Sequence, residues 1–147
     1  MKMIEIQNNK KEYLPLLLIG DEQESMIDKY IDRGRMFAVD DDGVKAICVV
    51  TDEDNGIIEI KNIAVLPDFQ SRGYGRILID FISDKFSDTH STLQVGTGDS
   101  PLTIPFYEKC GFTFAYKIKN FFTDNYDHPI IECGRQLVDM VYMQKQI

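Results

Sequence analysis

The chain has 147 residues, of which 44% are hydrophobic and 27% are charged, and its formal net charge is −8. This length and balance predict one globular domain, residues 1–147, that is large enough to bury its own core. The negative charge argues against a nucleic-acid-binding surface, because nucleic acids are bound by clustered Lys and Arg side chains.

The N-terminal residues and the cysteines indicate where the protein works. Residues 1–6 lack the layout of a signal peptide, and the apolar run at residues 16–19 is too short to span a membrane. The three cysteines, Cys48, Cys110 and Cys133, form no Cys-x-x-Cys pair, so we expect neither a disulfide framework nor a metal site. These features predict a cytoplasmic protein with no membrane partner.

The first third of the chain is expected to form a strand, two helices and a hairpin. Residues 3–6 are predicted to be a short strand and residues 10–19 a helix. Apolar residues at helical spacing after Asp21 predict a second helix, and Gly34 is expected to end it. Residues 36–39 and 45–51 are typical of a hairpin around the turn at residues 40–43.

The remaining elements alternate between strands and helices. Strands are predicted at residues 57–65 and 92–97, with a helix at residues 76–87 between them. A short helix ends at Gly111, and the last two strands, residues 112–122 and 137–144, are joined by a long polar loop. This order predicts an α/β protein in which helices flank a mixed sheet.

Residues 65–75 read V-L-P-D-F-Q-S-R-G-Y-G and connect a strand to a helix. Such a connection points several backbone N–H groups and the positive end of a helix at one place, which favours a phosphate site. Gly73 and Gly75 allow the backbone to approach a ligand closely, and Arg72 and Arg76 add positive charge.

Two nucleotide-binding templates fit this loop poorly. No Walker sequence is present, and Leu78 occupies the position of the third glycine of a dinucleotide fingerprint. The pattern Gln70-x-x-Gly73-x-Gly75 instead resembles the pyrophosphate-binding motif of the GNAT superfamily of acyl-CoA-dependent N-acyltransferases. A later stretch, F-Y-E-K-C-G-F at residues 106–112, is similar to a second motif of that family.

The resemblance implies a fold, a reaction and a cofactor. The expected fold is the single-domain GNAT fold, a mixed, mostly antiparallel sheet of six to seven strands with about four helices. The expected activity is transfer of the acetyl group of acetyl-CoA to a primary amine by direct attack in a ternary complex, as in small bacterial acetyltransferases. Two alternatives remain, a non-catalytic acyl-CoA-binding module and an unrelated nucleotide-binding protein.

The family pattern also implies which residues bind coenzyme A. The strand before the loop splays from its neighbour in this family, so main-chain groups of Ile63 and Val65 are expected to contact the pantetheine arm. Many members have an asparagine where this chain has Ser100, and Pro105 is expected to shorten the helix around Tyr107. The expected cofactor-binding residues are Ile63, Ala64, Val65, Gln70, Ser71, Arg72, Gly73, Tyr74, Gly75, Arg76, Ser100, Phe106 and Tyr107.

Two residues are candidates for proton transfer. Tyr107 matches the family tyrosine that protonates the leaving thiolate, and the Val65 amide would act as an oxyanion donor. Glu59 matches a carboxylate that serves as base in one branch of the family, whereas other branches use ordered water. Strand alternation places Glu59, Lys61, Ile63 and Val65 on one side, where Lys61 could pair with Glu59 and neutralise it.

The acceptor pocket is implied to lie between residues 21–36 and residues 121–134. Both segments carry carboxylates, which suit a cationic amine of a small molecule or peptide but are also common on solvated surfaces. His128 is expected to be structural or exposed. Relatives often pair through their C-terminal strands, so a homodimer is expected to use residues 137–143. The carboxylates are Glu22, Glu24, Asp28, Asp124, Asp127 and Glu132.

Overall fold

The computed structural model describes residues 1–147. Its strands are β1 (Lys2–Ile6), β2 (Arg35–Asp40), β3 (Val44–Asp52), β4 (Ile57–Val65), β5 (Thr92–Gly98), β6 (Thr113–Ile118), β7 (Ile131–Glu132), β8 (Arg135–Gln136) and β9 (Met140–Gln146). Its α-helices are α1 (Leu14–Gly20), α2 (Glu24–Ile27), α3 (Tyr74–Phe86), α4 (Ile104–Lys109) and α5 (Phe121–Asn125). Short 3₁₀ helices lie at Lys10–Tyr13 and Pro67–Phe69.

Seven strands form one sheet in the order β1-β2-β3-β4-β5-β9-β6, and β7 and β8 form a separate hairpin. All neighbouring strands in the large sheet are antiparallel except β4 and β5, which run parallel. Helix α3 makes the crossover between these two parallel strands. The predicted α/β fold with a mixed, mostly antiparallel sheet is therefore confirmed.

The sheet separates two hydrophobic cores. Because side chains alternate along a strand, β3 sends Ala46 and Cys48 into the core under α3 and Ile47 and Val49 into the core under α1. The sheet is thus covered by α3 and α4 on one face and by α1 and α2 on the other. None of the helices is both long and apolar enough to cross a membrane.

The second predicted helix is shorter than expected. Helix α2 ends at Ile27, and turns continue to the start of β2, although Tyr30 and Ile31 are buried as the helical spacing predicted. Gly34 meets a packing requirement here, since a Cβ atom on it would lie 2.7 Å from a methyl group of Val49. The close approach of this segment to β3 explains the glycine.

The predicted strand at residues 112–122 is wrong at its C-terminal end. Strand β6 stops at Ile118, and Asn120 adopts a left-handed conformation with φ 59° before α5 begins. Phe122 packs with Ile130 and Leu137 in a small third core, which gives the predicted loop its own structure. Local patterns at residues 112–122 favour a strand, and this tertiary packing overrides them.

Strand β9 begins at Met140 and lies between β5 and β6. Both of its edges are therefore paired within the chain, and Tyr142 and Met143 are buried. Edge-to-edge pairing of two copies through β9 is therefore excluded, and a homodimer through residues 137–143 stays a prediction. The free edge at this end of the sheet belongs to β6.

Candidate functional site

Strands β4 and β5 separate after a short stretch of pairing. Only Ile57–Ile60 of β4 pairs with Thr92–Val95 of β5, so the later halves of both strands face a gap. On the other side, the Leu66 N–H donates to the Lys45 carbonyl at 2.9 Å. Because hydrogen-bonded pairs alternate along an antiparallel ladder, the main-chain groups of Ile63 and Val65 point away from β3 and toward the gap.

A β-bulge at Lys61 changes which side chains share a face. The register with β3 moves from Val50 opposite Ile60 to Val49 opposite Asn62, so Lys61 is the extra residue. The prediction that Glu59, Lys61, Ile63 and Val65 lie on one side is therefore wrong. Ile63 and Val65 pack on the α3 side, whereas Glu59 and Lys61 share the opposite face.

The phosphate-loop residues come together at the C-terminal end of β4. Gly73 precedes α3 with φ 94°, a conformation that favours glycine, and Ser71 also has a positive φ of 63°. The Gln70 amide donates to the Val65 carbonyl at 3.2 Å, which fixes the loop to the strand. Exposed Ser71 and Arg72 lie beside Gly73 at the start of the helix. This arrangement can bind a phosphate group.

Gly75 and Arg76 join α3 to α4. A Cβ atom on Gly75 would lie 3.0 Å from the Phe106 ring, so the glycine allows the two helices to pack closely. The Arg76 guanidinium donates to the Lys109 carbonyl at 3.1 Å, at the C-terminal end of α4. These contacts connect the loop to the helix that carries Tyr107.

A cavity of about 520 Å³ opens beside the gap. Its walls come from the end of α1, the segment after α2, strands β4 and β5, α4, and the segment from α5 to Leu137. Of the predicted site residues, Tyr107, Glu59 and Ile63 line it. The phosphate loop lies outside it, at the end of β4, as a cofactor that enters through the gap requires.

Tyr107 is 6% exposed, and its ring packs edge-on against Phe106 and Phe112. Burial is the main cause that raises the pKa of Tyr107, and nearby groups that include Glu132 raise it further. The hydroxyl therefore keeps its proton at neutral pH, and the raised pKa makes it a weaker acid than an ordinary tyrosine. Pro105 lies in the first turn of α4, a six-residue helix, where no backbone N–H is needed.

Glu59 is 4% exposed, and both of its carboxylate oxygens have partners. The Gln94 amide donates to Oε1 at 2.5 Å, and the Lys61 ammonium lies 2.8 Å from Oε2. Gln94 is itself oriented by Gln144, whose amide donates to the Gln94 Oε1 at 2.7 Å. Gln94 was missed in the sequence, although a polar residue inside the apolar strand Leu93-Gln94-Val95 is a usable signal.

Ser100 is buried outside the cavity, where its hydroxyl accepts a hydrogen bond from the Leu102 N–H at 3.1 Å. This contact serves the local turn before α4. The Ser100 hydroxyl is therefore bound to the Leu102 N–H at the position where many family members have an asparagine that contacts the pantetheine arm.

The acidic residues of the predicted acceptor walls divide into two groups. Glu22 and Glu132 line the cavity, whereas Glu24 and Asp28 form ion pairs with Lys11 on the surface. Glu24 and Asp28 are therefore solvated surface residues, which is the alternative that the sequence left open. Asp124 and Asp127 do not line the cavity either, but aromatic residues of the same segment do, namely Phe121, Phe122 and Tyr126.

No pattern in the sequence marked Asp21 itself as a residue of the site. Tyr126 donates to its Oδ1 at 2.6 Å and Tyr30 to its Oδ2 at 3.0 Å, so the carboxylate joins two segments 105 residues apart. Asn62 in turn donates to the Tyr30 hydroxyl at 3.1 Å. Burial is the main cause that raises the pKa of Asp21, against the lowering effect of the tyrosine hydrogen bonds.

Comparisons with known proteins agree with this geometry. A family model described as an acetyltransferase (GNAT) domain matches residues 32–114. An uncharacterised N-acetyltransferase of Bacillus subtilis, YvbK, is 32% identical over 138 residues, which cover 92% of this chain and 89% of that protein.

Solved structures of acetyltransferases have the same fold. A Bacillus subtilis acetyltransferase in complex with CoA is 29% identical with a TM-score of 0.90, over 99% of this chain and 98% of the other. A GNAT family acetyltransferase from Elizabethkingia anophelis with acetyl-CoA bound is 31% identical, also with a TM-score of 0.90, over 99% and 97% of the two chains.

Proposed function

The chain belongs to the GNAT acetyltransferase family, and from this premise we propose that it transfers the acetyl group of acetyl-CoA to a primary amine. The transfer proceeds by direct attack of the amine on the thioester within a ternary complex. The observation that carries this proposal is the gap between β4 and β5. It presents the main-chain groups of Ile63 and Val65 and opens into the cavity that holds Tyr107 and Glu59.

The residues at the end of β4 fit coenzyme A. The amides at the start of α3, with the positive end of the helix, suit its pyrophosphate, and Arg72 and Arg76 add positive charge. Ala64 and Tyr74 complete the stretch that borders the cofactor. The pantetheine arm pairs with Ile63 and Val65, as a short added strand would. The cofactor supplies an acetyl group already activated as a thioester.

The two proton transfers, to the leaving thiolate and from the amine, involve residues on opposite faces of the sheet. Tyr107 donates a proton to the leaving thiolate, since its protonated side chain lines the cavity beside the gap. Glu59 receives the proton of the amine on the opposite face, directly or through an ordered water. The Val65 N–H, which points into the gap, stabilises the oxyanion. The non-catalytic binding module is not favoured, because Tyr107 and Glu59 line one cavity.

The acceptor is an amine of a small molecule or peptide, and the enzyme acts in the bacterial cytoplasm.

The enzyme forms a homodimer through β6, whose free edge carries the exposed side chains of Phe114, Tyr116 and Ile118. Size-exclusion chromatography with light scattering tests the dimer. A mass equal to one chain at micromolar concentration would contradict it.

A thermal-shift titration tests the cofactor assignment. CoA and acetyl-CoA are expected to raise the melting temperature, because a ligand that binds only the native state stabilises it. ATP and NAD are the controls and are expected to have no effect. A shift with ATP or NAD and none with CoA would reject the proposal.

A further inference from the structure

Asp21 occupies a position in the cavity wall that the acetyl transfer itself does not explain. The residue follows α1 and lines the cavity with Tyr30 and Tyr126, whose hydroxyls donate to its two oxygens. Both tyrosines therefore hold the carboxylate in one orientation. Each carboxylate oxygen has a further lone pair that can accept from a ligand.

Asp21 forms no ion pair, although three cationic side chains line the same cavity: Arg33 pairs with Glu53 at 3.0 Å, Lys61 pairs with Glu59, and Lys29 has no ion pair. Glu59, the other buried carboxylate of the cavity, is paired with Lys61 at 2.8 Å. The charged neighbour that acts on Asp21 is Glu22, which has the same sign. A carboxylate in a cavity without a cationic partner favours a ligand that brings positive charge.

Asn62 helps to fix the orientation of Tyr30. It is 2% exposed, and its amide nitrogen donates to the Tyr30 hydroxyl and to the Leu17 carbonyl. Its Oδ1 atom is buried against Gly20 and has no hydrogen-bond partner. The hydrogen bonds from Asn62 to Tyr30 and from Tyr30 to Asp21 thus keep one carboxylate oxygen in place at the cavity wall.

Aromatic rings line the same part of the cavity. Phe122 and Tyr126 are stacked with their ring centres 5.6 Å apart, and Phe121 packs edge-on against Phe122. Aromatic faces attract cations and cover the alkyl part of an amine. The rings and the carboxylate together suit an aliphatic ammonium group.

We propose that Asp21 is the specificity-determining residue of the acceptor site and that it binds an ammonium group of the acceptor. This inference rests on the proposed acetyl transfer, because it assigns the cavity to the acceptor. Because an ammonium group has no lone pair to attack the thioester, the acceptor is an aliphatic amine with a second, cationic group, and that group is held between Asp21 and the rings of Tyr126 and Phe122.

Calorimetric titration with butylammonium and with 1-butanol tests the charge directly, because the two probes are similar in shape and differ in charge. The wild-type protein is expected to bind butylammonium at least about tenfold more tightly than 1-butanol. Asp21→Asn is expected to abolish this preference. Glu24→Gln, a charge-removing change at a surface residue that does not line the cavity, is expected to keep the preference within about threefold.

Equal affinity of the wild-type protein for both probes would overturn the inference, and so would a preference that survives in Asp21→Asn. Tyr126→Phe keeps the carboxylate and is expected to retain the preference for butylammonium. If Asp21→Asn does not fold, as judged by circular dichroism, Asp21→Ser serves as the second charge-removing variant. CoA affinity is measured separately on each protein, so a failure of CoA binding is distinguished from a failure of amine recognition.

Discussion

Tyr107 is the residue that we propose as the proton donor. Its hydroxyl is buried in the cavity beside the gap, and burial keeps it protonated. Tyr107→Phe removes only the hydroxyl, so the rings of Phe106 and Phe112 keep their packing partner. We expect unchanged CoA affinity and a kcat lower by about 10²-fold or more, measured by thiol release under saturating acetyl-CoA.

Tyr13→Phe is the matched control, because Tyr13 lies in the first 3₁₀ helix and does not line the cavity. The control is expected to keep wild-type turnover. Wild-type turnover in Tyr107→Phe would remove Tyr107 as the acid and leave it a packing role.

Glu59 is the residue whose role needs the sharper test, because Lys61 and Gln94 already engage its carboxylate. If it accepts the proton of the amine, Glu59→Gln lowers kcat by about 10²-fold and changes the pH dependence of kcat/KM. Glu53→Gln is the control, since Glu53 also lies near Lys61, at 3.9 Å, but does not line the cavity. A pH–rate profile that Glu59→Gln leaves unchanged would assign the base to ordered water.

At the scale of an element, we assign the binding of the CoA pyrophosphate to the loop between β4 and α3. Gly73 has φ 94° and no atom within 4 Å of the place where a Cβ would lie, so the space beside it is open. Gly73→Glu puts a carboxylate there and adds backbone strain. We expect this variant to lose CoA binding, measured by calorimetric titration.

Gly134→Glu is a close control for that variant. Gly134 also has a positive φ, 74°, and open surroundings, but it lies in the turn between β7 and β8. It carries the same strain and charge and is expected to keep CoA affinity. Equal loss of affinity in both variants would mean that the effect comes from destabilisation rather than from the phosphate site.

The end of α1 packs closely against β4 because Gly20 has no side chain. A Cβ on Gly20 would lie 2.0 Å from Asn62 Oδ1 and 3.1 Å from the Ile63 carbonyl, so alanine cannot fit without a shift. We expect Gly20→Ala to lower the free energy of unfolding by about 1–3 kcal/mol, measured by urea denaturation. A stability equal to or above that of the wild type would contradict the packing described here.

The bulge at Lys61 is a feature of β4 that the sequence did not predict. The strand Ile57–Val65 and its β-branched residues are evident in the sequence, but alternation assigns Glu59 and Ile63 to one face. One extra residue reverses that parity, and no glycine or proline marks it. The bulge became visible only from the pairing with β3.

At the scale of the molecule, local signals were enough to predict the arrangement from β2 to α4. The Gly73 loop and the Phe106–Phe112 stretch are short motifs whose residues contact each other through Gly75 and Phe106. The segment after β6 was predicted less well. Its structure depends on long-range partners, such as Asp21 for Tyr126 and Gln23 for Asp127, that no local pattern indicates.

In the whole molecule the gap between β4 and β5 opens into the cavity, and we propose that the acetyl group passes from CoA in the gap to an amine in the cavity. The direct measurement is acetyl-CoA consumption with a panel of cationic aliphatic amines, with the acetylated product identified by mass spectrometry. We expect amine-dependent release of CoA with one acetyl group on the amine nitrogen, and we expect this activity to be lost in Tyr107→Phe. Tight acetyl-CoA binding with no acetylation of any primary amine, small or peptide, would contradict it.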